Sequence, residues 1–172
     1  MTVDELPVIV HTAKAGDQVV GYAVETMTTK GFSGVFRLMV GFRASGEVYN
    51  INVLEHSETP GLGSKMGDEG NSLLVSFKDK NPANMKQPLA VVKDGGDVQA
   101  LTAATISSRA YVDAVVRAYN AVQQIKGGAN VATGATSNST EWSEGEPAAE
   151  QATAEEAAET VNEETQNGED NE

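Results

Sequence analysis

Two neighbouring segments with a two-residue repeat constrain the fold of this chain more than any other feature. Residues 35–43 (VFRLMVGFR) and 48–55 (VYNINVLE) both alternate apolar and polar side chains, which puts the apolar ones on one face of a strand. The four residues 44–47 between them are enough for a tight connection. The pattern predicts a β-hairpin with one buried face, and therefore an antiparallel sheet that needs a second layer.

Further strands are predicted on either side of this hairpin. Residues 18–28 (QVVGYAVETMT) mix β-branched and aromatic side chains in the manner of a strand, which the Gly-rich residues 31–34 interrupt. Residues 88–93 (PLAVVK) are predicted as another strand, ended by the glycines that follow Asp94.

The second layer is predicted to be helical. Apolar residues recur at helical spacing over 103–126, Thr102 is placed as the N-cap, and Gly127 supplies the stop. A short helix is expected over 71–78. The expected fold class is therefore α+β: an antiparallel sheet with packed helices.

The charge distribution divides the chain into two parts. The formal charge is −13, yet no Lys or Arg follows Lys126, and twelve of the 25 acidic residues lie between Glu141 and Glu172. The rest is nearly neutral and lacks the basic surface that nucleic-acid binding needs, so no nucleic-acid partner is expected. We predict a folded domain over 1–128 and a disordered, acidic, low-complexity tail over 129–172.

Composition also limits the chemistry. The chain has no cysteine, and His11 and His56 are its two widely separated histidines, so we expect no disulfide, no thiol nucleophile and no metal site. Any redox chemistry would have to come from a bound organic cofactor. No segment approaches the roughly 20 apolar residues of a membrane-spanning helix, and the N-terminus lacks the features of a signal peptide. The chain as written is expected to be soluble.

The first candidate site is the helix start within residues 100–115 (ALTAATISSRAYVDAV). Free backbone N–H groups and the positive end of the helix dipole meet near Thr102 and Thr105, where a phosphate would be stabilised. Ser107 and Ser108 offer further donors and Arg109 a positive charge. From the residues alone, the simpler interpretation is that Thr102 caps an ordinary helix.

The second candidate is the loop 56–66 (HSETPGLGSKM). Its proline and glycines argue against regular structure and favour a backbone that lies close to another group. A loop that merely follows the hairpin would look the same.

At these residues the chain resembles the FMN-binding domain family. The stretch LTAATISS resembles its flavinylation motif, Asp-x-x-(Ser/Thr)-Gly-Ala-Thr, in which the last threonine is esterified to the phosphate of FMN. Thr102 takes the Ser/Thr position and Thr105 the modified one. Gln99 replaces the Asp, which bears on recognition by the flavin transferase, and Ala103 replaces the Gly, which matters if that position needs a positive φ.

The loop carries the second part of the resemblance. The family has a Glu-Thr-Pro-Gly-Leu-Gly loop, and residues 58–63 match all six positions. Together the two motifs imply an FMN-binding domain over about residues 19–123. A more literal Thr-Gly-Ala-Thr occurs at 133–136, but no helix is predicted behind it to hold a phosphate, so Thr105 is preferred over Thr136.

The resemblance implies a site that binds FMN covalently and contains neither a catalytic residue nor a metal. The loop would lie against the flavin ring, and Lys65 would place positive charge near it. The expected cofactor-binding residues are Thr105, which carries the phosphoester, together with Thr102, Ala103, Ala104, Ser107, Ser108, Glu58, Thr59, Gly61, Leu62, Gly63 and Lys65.

Within the family, the chain is most similar to G subunits of Rnf-type complexes, which move electrons between ferredoxin and NAD while translocating an ion. C subunits of sodium-translocating NADH:quinone reductases are also similar. Either resemblance implies a flavinylated electron-carrier subunit, with other membrane-complex subunits and a flavin transferase as partners. A stand-alone flavin reductase and a non-catalytic binding module are the alternatives.

The resemblance also implies a location. Such a domain lies on the outer, periplasmic face of the bacterial cytoplasmic membrane, behind an N-terminal transmembrane anchor. We expect that Met1 begins a shortened fragment and that this fragment does not insert into the membrane itself.

Overall fold

The computed structural model describes residues 1–134. The predicted tail and the alternative site at Thr136 therefore lie almost entirely outside the described residues. Within 1–134, an antiparallel sheet and one long helix form an α+β arrangement, which confirms the predicted fold class.

The main sheet has four antiparallel strands in sequential order. They are β3 (Ile9–Ala15), β4 (Gln18–Gly31), β5 (Gly34–Arg43) and β6 (Val48–Glu55). The predicted strand and hairpin are confirmed, and Phe32 and Ser33 form the turn between Gly31 of β4 and Gly34 of β5. The sequence analysis did not foresee β3 or the short pair β1 (Thr2–Val3) and β2 (Leu6–Pro7).

Two helices accompany the sheet. The short helix α1 (Ser72–Phe77) forms as predicted, with the Asn71 side chain accepting from the N–H of Leu74. The long helix α2 (Thr105–Lys126) packs mainly on β4. The inward residues of the hairpin, Phe36, Leu38 and Val40, are fully buried, which contributes about 1.5–3 kcal/mol for each side chain.

A buried ion pair within α2 connects this helix to β4 through its further contacts. Arg117 and Asp113 are 2% and 3% exposed, and Arg117 Nη2 lies 2.7 Å from Asp113 Oδ2. Arg117 also donates to the carbonyl oxygen of Met27, and Lys30 Nζ lies 2.9 Å from Asp113 Oδ1. A buried carboxylate is tolerated when it is paired and hydrogen-bonded in this way. The contacts hold the helix, and with it Thr105, in a fixed place on the sheet.

Two local predictions were wrong. Residues 88–93 do not form a strand: Leu89 and Val91 make single bridges to Thr133 and Val98, and a 3-10 helix follows over Val92–Asp94. The loop 56–66 is not wholly irregular either, because Gly63–Gly67 forms a 3-10 helix. No helix among residues 1–134 is long and apolar enough to span a membrane.

Candidate functional site

The start of α2 lies two residues later than the sequence predicted. Ala104, not Thr102, is the N-cap, and Thr105 is the first helical residue. The reason is Ala103, whose φ of 56° interrupts the helical path between Thr102 and the helix. Thr102 is consequently exposed in the turn and makes no capping hydrogen bond.

This helix start leaves several donors free. The first helical hydrogen bond runs from the N–H of Ser108 to the carbonyl oxygen of Ala104, at 2.9 Å. The N–H groups of Thr105, Ile106 and Ser107 have no acceptor among residues 1–134. The Thr105 hydroxyl is half-buried and also has no hydrogen-bond partner among these residues. Unsatisfied N–H groups and the helix dipole together favour a bound anion. The residues present therefore fit the phosphate of a flavin.

Ser107 and Ser108 do not take part in the way the sequence suggested. The buried Ser107 hydroxyl donates to Glu58 Oε2 at 2.5 Å. The Ser108 hydroxyl donates to the carbonyl oxygen of Ala104 and accepts from the N–H of Leu101. Since both hydroxyl protons are used within the protein, neither is available to a phosphate.

Arg109 is likewise already paired. Its guanidinium makes two hydrogen bonds to Asp94, at 2.6 and 2.7 Å. This bidentate contact lowers the pKa of the Asp94 carboxyl below its usual value and raises the pKa of Arg109. Arg109 therefore brings little uncompensated charge to the helix start.

Glu58 brings the two sequence motifs together. Its side chain is 5% exposed and accepts from Ser107 through Oε2, and from the N–H of Ser33 through Oε1 at 3.0 Å. One carboxylate thus joins the loop, the first turn of α2 and the turn between β4 and β5. The sequence analysis missed Ser33, for which the interrupted strand pattern at 31–34 was the one available signal.

The glycines of the loop permit this close approach. A Cβ on Gly63 would lie 2.6 Å from Glu58 Oε2 and 2.9 Å from Ser107 Oγ, so only glycine fits between them. Gly61 adopts a positive φ of 76°, and its N–H donates to Ser64 Oγ. The conformation of residues 61–63 therefore depends on both glycines.

Two exposed apolar side chains adjoin this junction in the sequence. Leu62 precedes Gly63 and is 40% exposed, and Ile106 precedes Ser107 and is 44% exposed. Their sequence neighbours Gly63 and Ser107 approach each other closely. Exposed apolar side chains are the groups that an aromatic ring packs against. Thr59 is half-buried, and Lys65 is exposed with no ion pair among the described residues.

Comparison with known proteins identifies the family of this chain. The FMN-binding domain family matches residues 31–120, a range that includes both motifs. The G subunit of the ion-translocating oxidoreductase complex from Shewanella loihica is 40% identical over 126 residues, which are 71% of this chain and 59% of that protein.

Two other G subunits are similarly related. The protein from Photorhabdus laumondii is 38% identical over 66% of this chain and 55% of its own length. The protein from Haemophilus influenzae is 39% identical over 63% of this chain and 53% of its own length. The chain thus spans between half and three fifths of the length of these relatives.

Gly63 offers a direct test of the junction. In Gly63→Ala the added methyl group would collide with Glu58 and Ser107, and we expect the free energy of unfolding to fall by about 1–3 kcal/mol. Gly67→Ala is the matched control, because a Cβ there meets nothing within 4 Å, and its effect should stay within about 0.5 kcal/mol. Urea unfolding of both variants measures the difference, and equal stabilities would contradict the close packing of Gly63.

Ala103 gives a test in which the substitution should increase the stability of the protein. Its φ of 56° lies in the left-handed region, where a Cβ is strained. Ala103→Gly should therefore raise the free energy of unfolding by about 1 kcal/mol. Ala83→Gly, within the 3-10 helix Pro82–Asn84, should lower it by roughly 0.5–1 kcal/mol. A loss of stability in both variants, measured by urea unfolding, would show that Ala103 is not strained.

Proposed function

Since this chain belongs to the FMN-binding domain family, we propose that it carries FMN covalently, through a phosphoester to the Thr105 hydroxyl. The observation that carries the proposal is the uncapped start of α2, where the Thr105 hydroxyl and three N–H groups have no hydrogen-bond partner among residues 1–134. A phosphate at this position receives those donors and the positive end of the helix dipole.

The same hydroxyl would form the covalent bond to FMN. With FAD as donor and a flavin transferase as partner, the bond from Thr105 Oγ to the FMN phosphorus forms while the bond from that phosphorus to AMP breaks. The hydroxyl proton leaves to a base of the transferase. Thr105 is consumed once and is not a nucleophile of turnover.

In this proposal the loop 58–63 lies against the flavin ring. Thr59 and Gly61 offer a surface without large side chains, and Leu62 and Ile106 supply exposed apolar contacts. Gly63 is buried and lets the loop approach Ser107 closely. Thr102, Ala103 and Ala104 form the turn that leads to the phosphate. Ser107 and Ser108 hold this turn and the loop in place through their buried hydrogen bonds.

The bound flavin would supply one- and two-electron chemistry, while the protein positions it and limits competing reactions. Outer-sphere electron transfer requires no side chain to abstract a proton, and we assign no catalytic acid or base. A phosphoester also prevents loss of the cofactor, which suits a fixed electron relay.

The named relatives extend the proposal to a larger assembly. They are G subunits of ion-translocating oxidoreductase complexes, and we propose that this chain is the electron carrier of such a complex. Ferredoxin and NAD would be the terminal redox partners. The domain would lie on the outer face of the cytoplasmic membrane, beside the other subunits.

Two single-residue variants test the attachment site. Co-expressed with a flavin transferase, the wild type and Thr136→Ala should show in-gel flavin fluorescence and an intact mass increased by FMN less one water. Thr105→Ala should lose both signals, because its side chain has no hydroxyl. Flavin retained by the Thr105 variant would overturn the site, and steady NADH oxidation by the isolated protein would favour a stand-alone reductase.

A further inference from the structure

Glu58 is a buried carboxylate without a cation. Both of its oxygens accept hydrogen bonds, from the N–H of Ser33 and the hydroxyl of Ser107, and both donors are neutral. No Lys or Arg among residues 1–134 forms an ion pair with it. Two neutral donors stabilise a carboxylate but leave its negative charge in place.

The basic groups of the loop and of the helix start are directed elsewhere. His56 Nδ1 accepts from the backbone N–H of Glu58 and makes no ion pair with its carboxylate. Lys65, in the same loop, is exposed to solvent. Arg109, in the first turn of α2, is held by Asp94. The contrast with Asp113 is clear, because that buried carboxylate contacts both Arg117 and Lys30. A buried carboxylate without an opposite charge beside it is costly.

The position of this charge suggests its use. Glu58 contacts Ser107, two residues beyond Thr105, and a Cβ on Gly63 would touch it. It therefore lies between the two segments that hold the flavin in the proposed function. Electrostatic interactions are strong at such a buried position because little water screens them.

We propose that Glu58 lowers the reduction potential of the bound flavin through its uncompensated negative charge. The inference rests on the proposed function. Reduction brings two electrons to the ring, and any negative charge not neutralised by proton uptake from solvent is repelled by the carboxylate. Glu58 acts through space on the flavin, and Ser33 and Ser107 hold it in position.

The test compares reduction potentials of flavinylated proteins. In a spectroelectrochemical titration with dithionite as reductant, Glu58→Gln should have a higher midpoint potential than the wild type. The amide has nearly the same shape, and the Ser107 hydroxyl can turn to accept from it. Glu69→Gln is the matched control: it removes an exposed carboxylate that has no ion pair among the described residues, and it should leave the potential unchanged.

A second variant keeps the charge and guards against a folding defect in the first. Ser107→Ala retains the carboxylate but removes one of its two donors, so the negative charge is less stabilised and the potential should fall. Urea unfolding of the flavin-free proteins verifies that each variant is folded. A general disturbance of the site would not be expected to move the two variants in opposite directions.

The outcomes separate the two proposals. A wild type without covalent FMN would overturn the proposed function and this inference with it. Covalent FMN with a potential in Glu58→Gln equal to or below that of the wild type would overturn the inference alone. If Glu58→Gln does not fold, a potential in Ser107→Ala equal to or above that of the wild type is the contradicting result.

Discussion

The hydrogen bond from the Ser107 hydroxyl to Glu58 connects residues 49 positions apart, and the candidate site depends on it. Without this contact, the loop would lose its side-chain hydrogen bond to α2. The contact is also demanding: it buries a carboxylate, leaves room only for glycine at position 63, and uses a second donor from Ser33. Such a buried polar group stabilises the structure only when its hydrogen bonds are satisfied.

Sheet and helix bring these groups to one place by different means. The hairpin of β5 and β6 delivers the loop, because Glu58 follows the last residue of β6 by three positions. The packing of α2 on β4 delivers Thr105, and the contacts of Arg117 with Met27 and of Asp113 with Lys30 fix the helix there. The positive φ of Ala103 then determines where the helix begins, and no side chain caps the helix start at Thr105. The middle of α2 thus holds the helix on the sheet, whereas its first residues form the candidate site.

The sequence was sufficient for the strongly periodic elements and for both motifs. The hairpin, β4 and most of α2 follow from local patterns, and the resemblance predicts Thr105 as the attachment residue. The inward orientation of Ser107 and Ser108 was not predictable, because local spacing does not show whether a hydroxyl faces a phosphate or a distant carboxylate. Likewise, β3 is almost entirely exposed and has no apolar alternation to reveal it. These features depend on contacts between distant segments, which override local preference.

The attachment of FMN to Thr105 is the central claim, and peptide mapping of the flavinylated protein tests it most directly. Cleavage after Lys93 and Arg109 releases the peptide 94–109, which contains Thr105, whereas the peptide beginning at Gly127 contains Thr133 and Thr136. Tandem mass spectrometry should find the mass of FMN less one water on peptide 94–109, with fragment ions that place it on Thr105. The same mass on the peptide from Gly127, or on another residue of 94–109, would contradict the account.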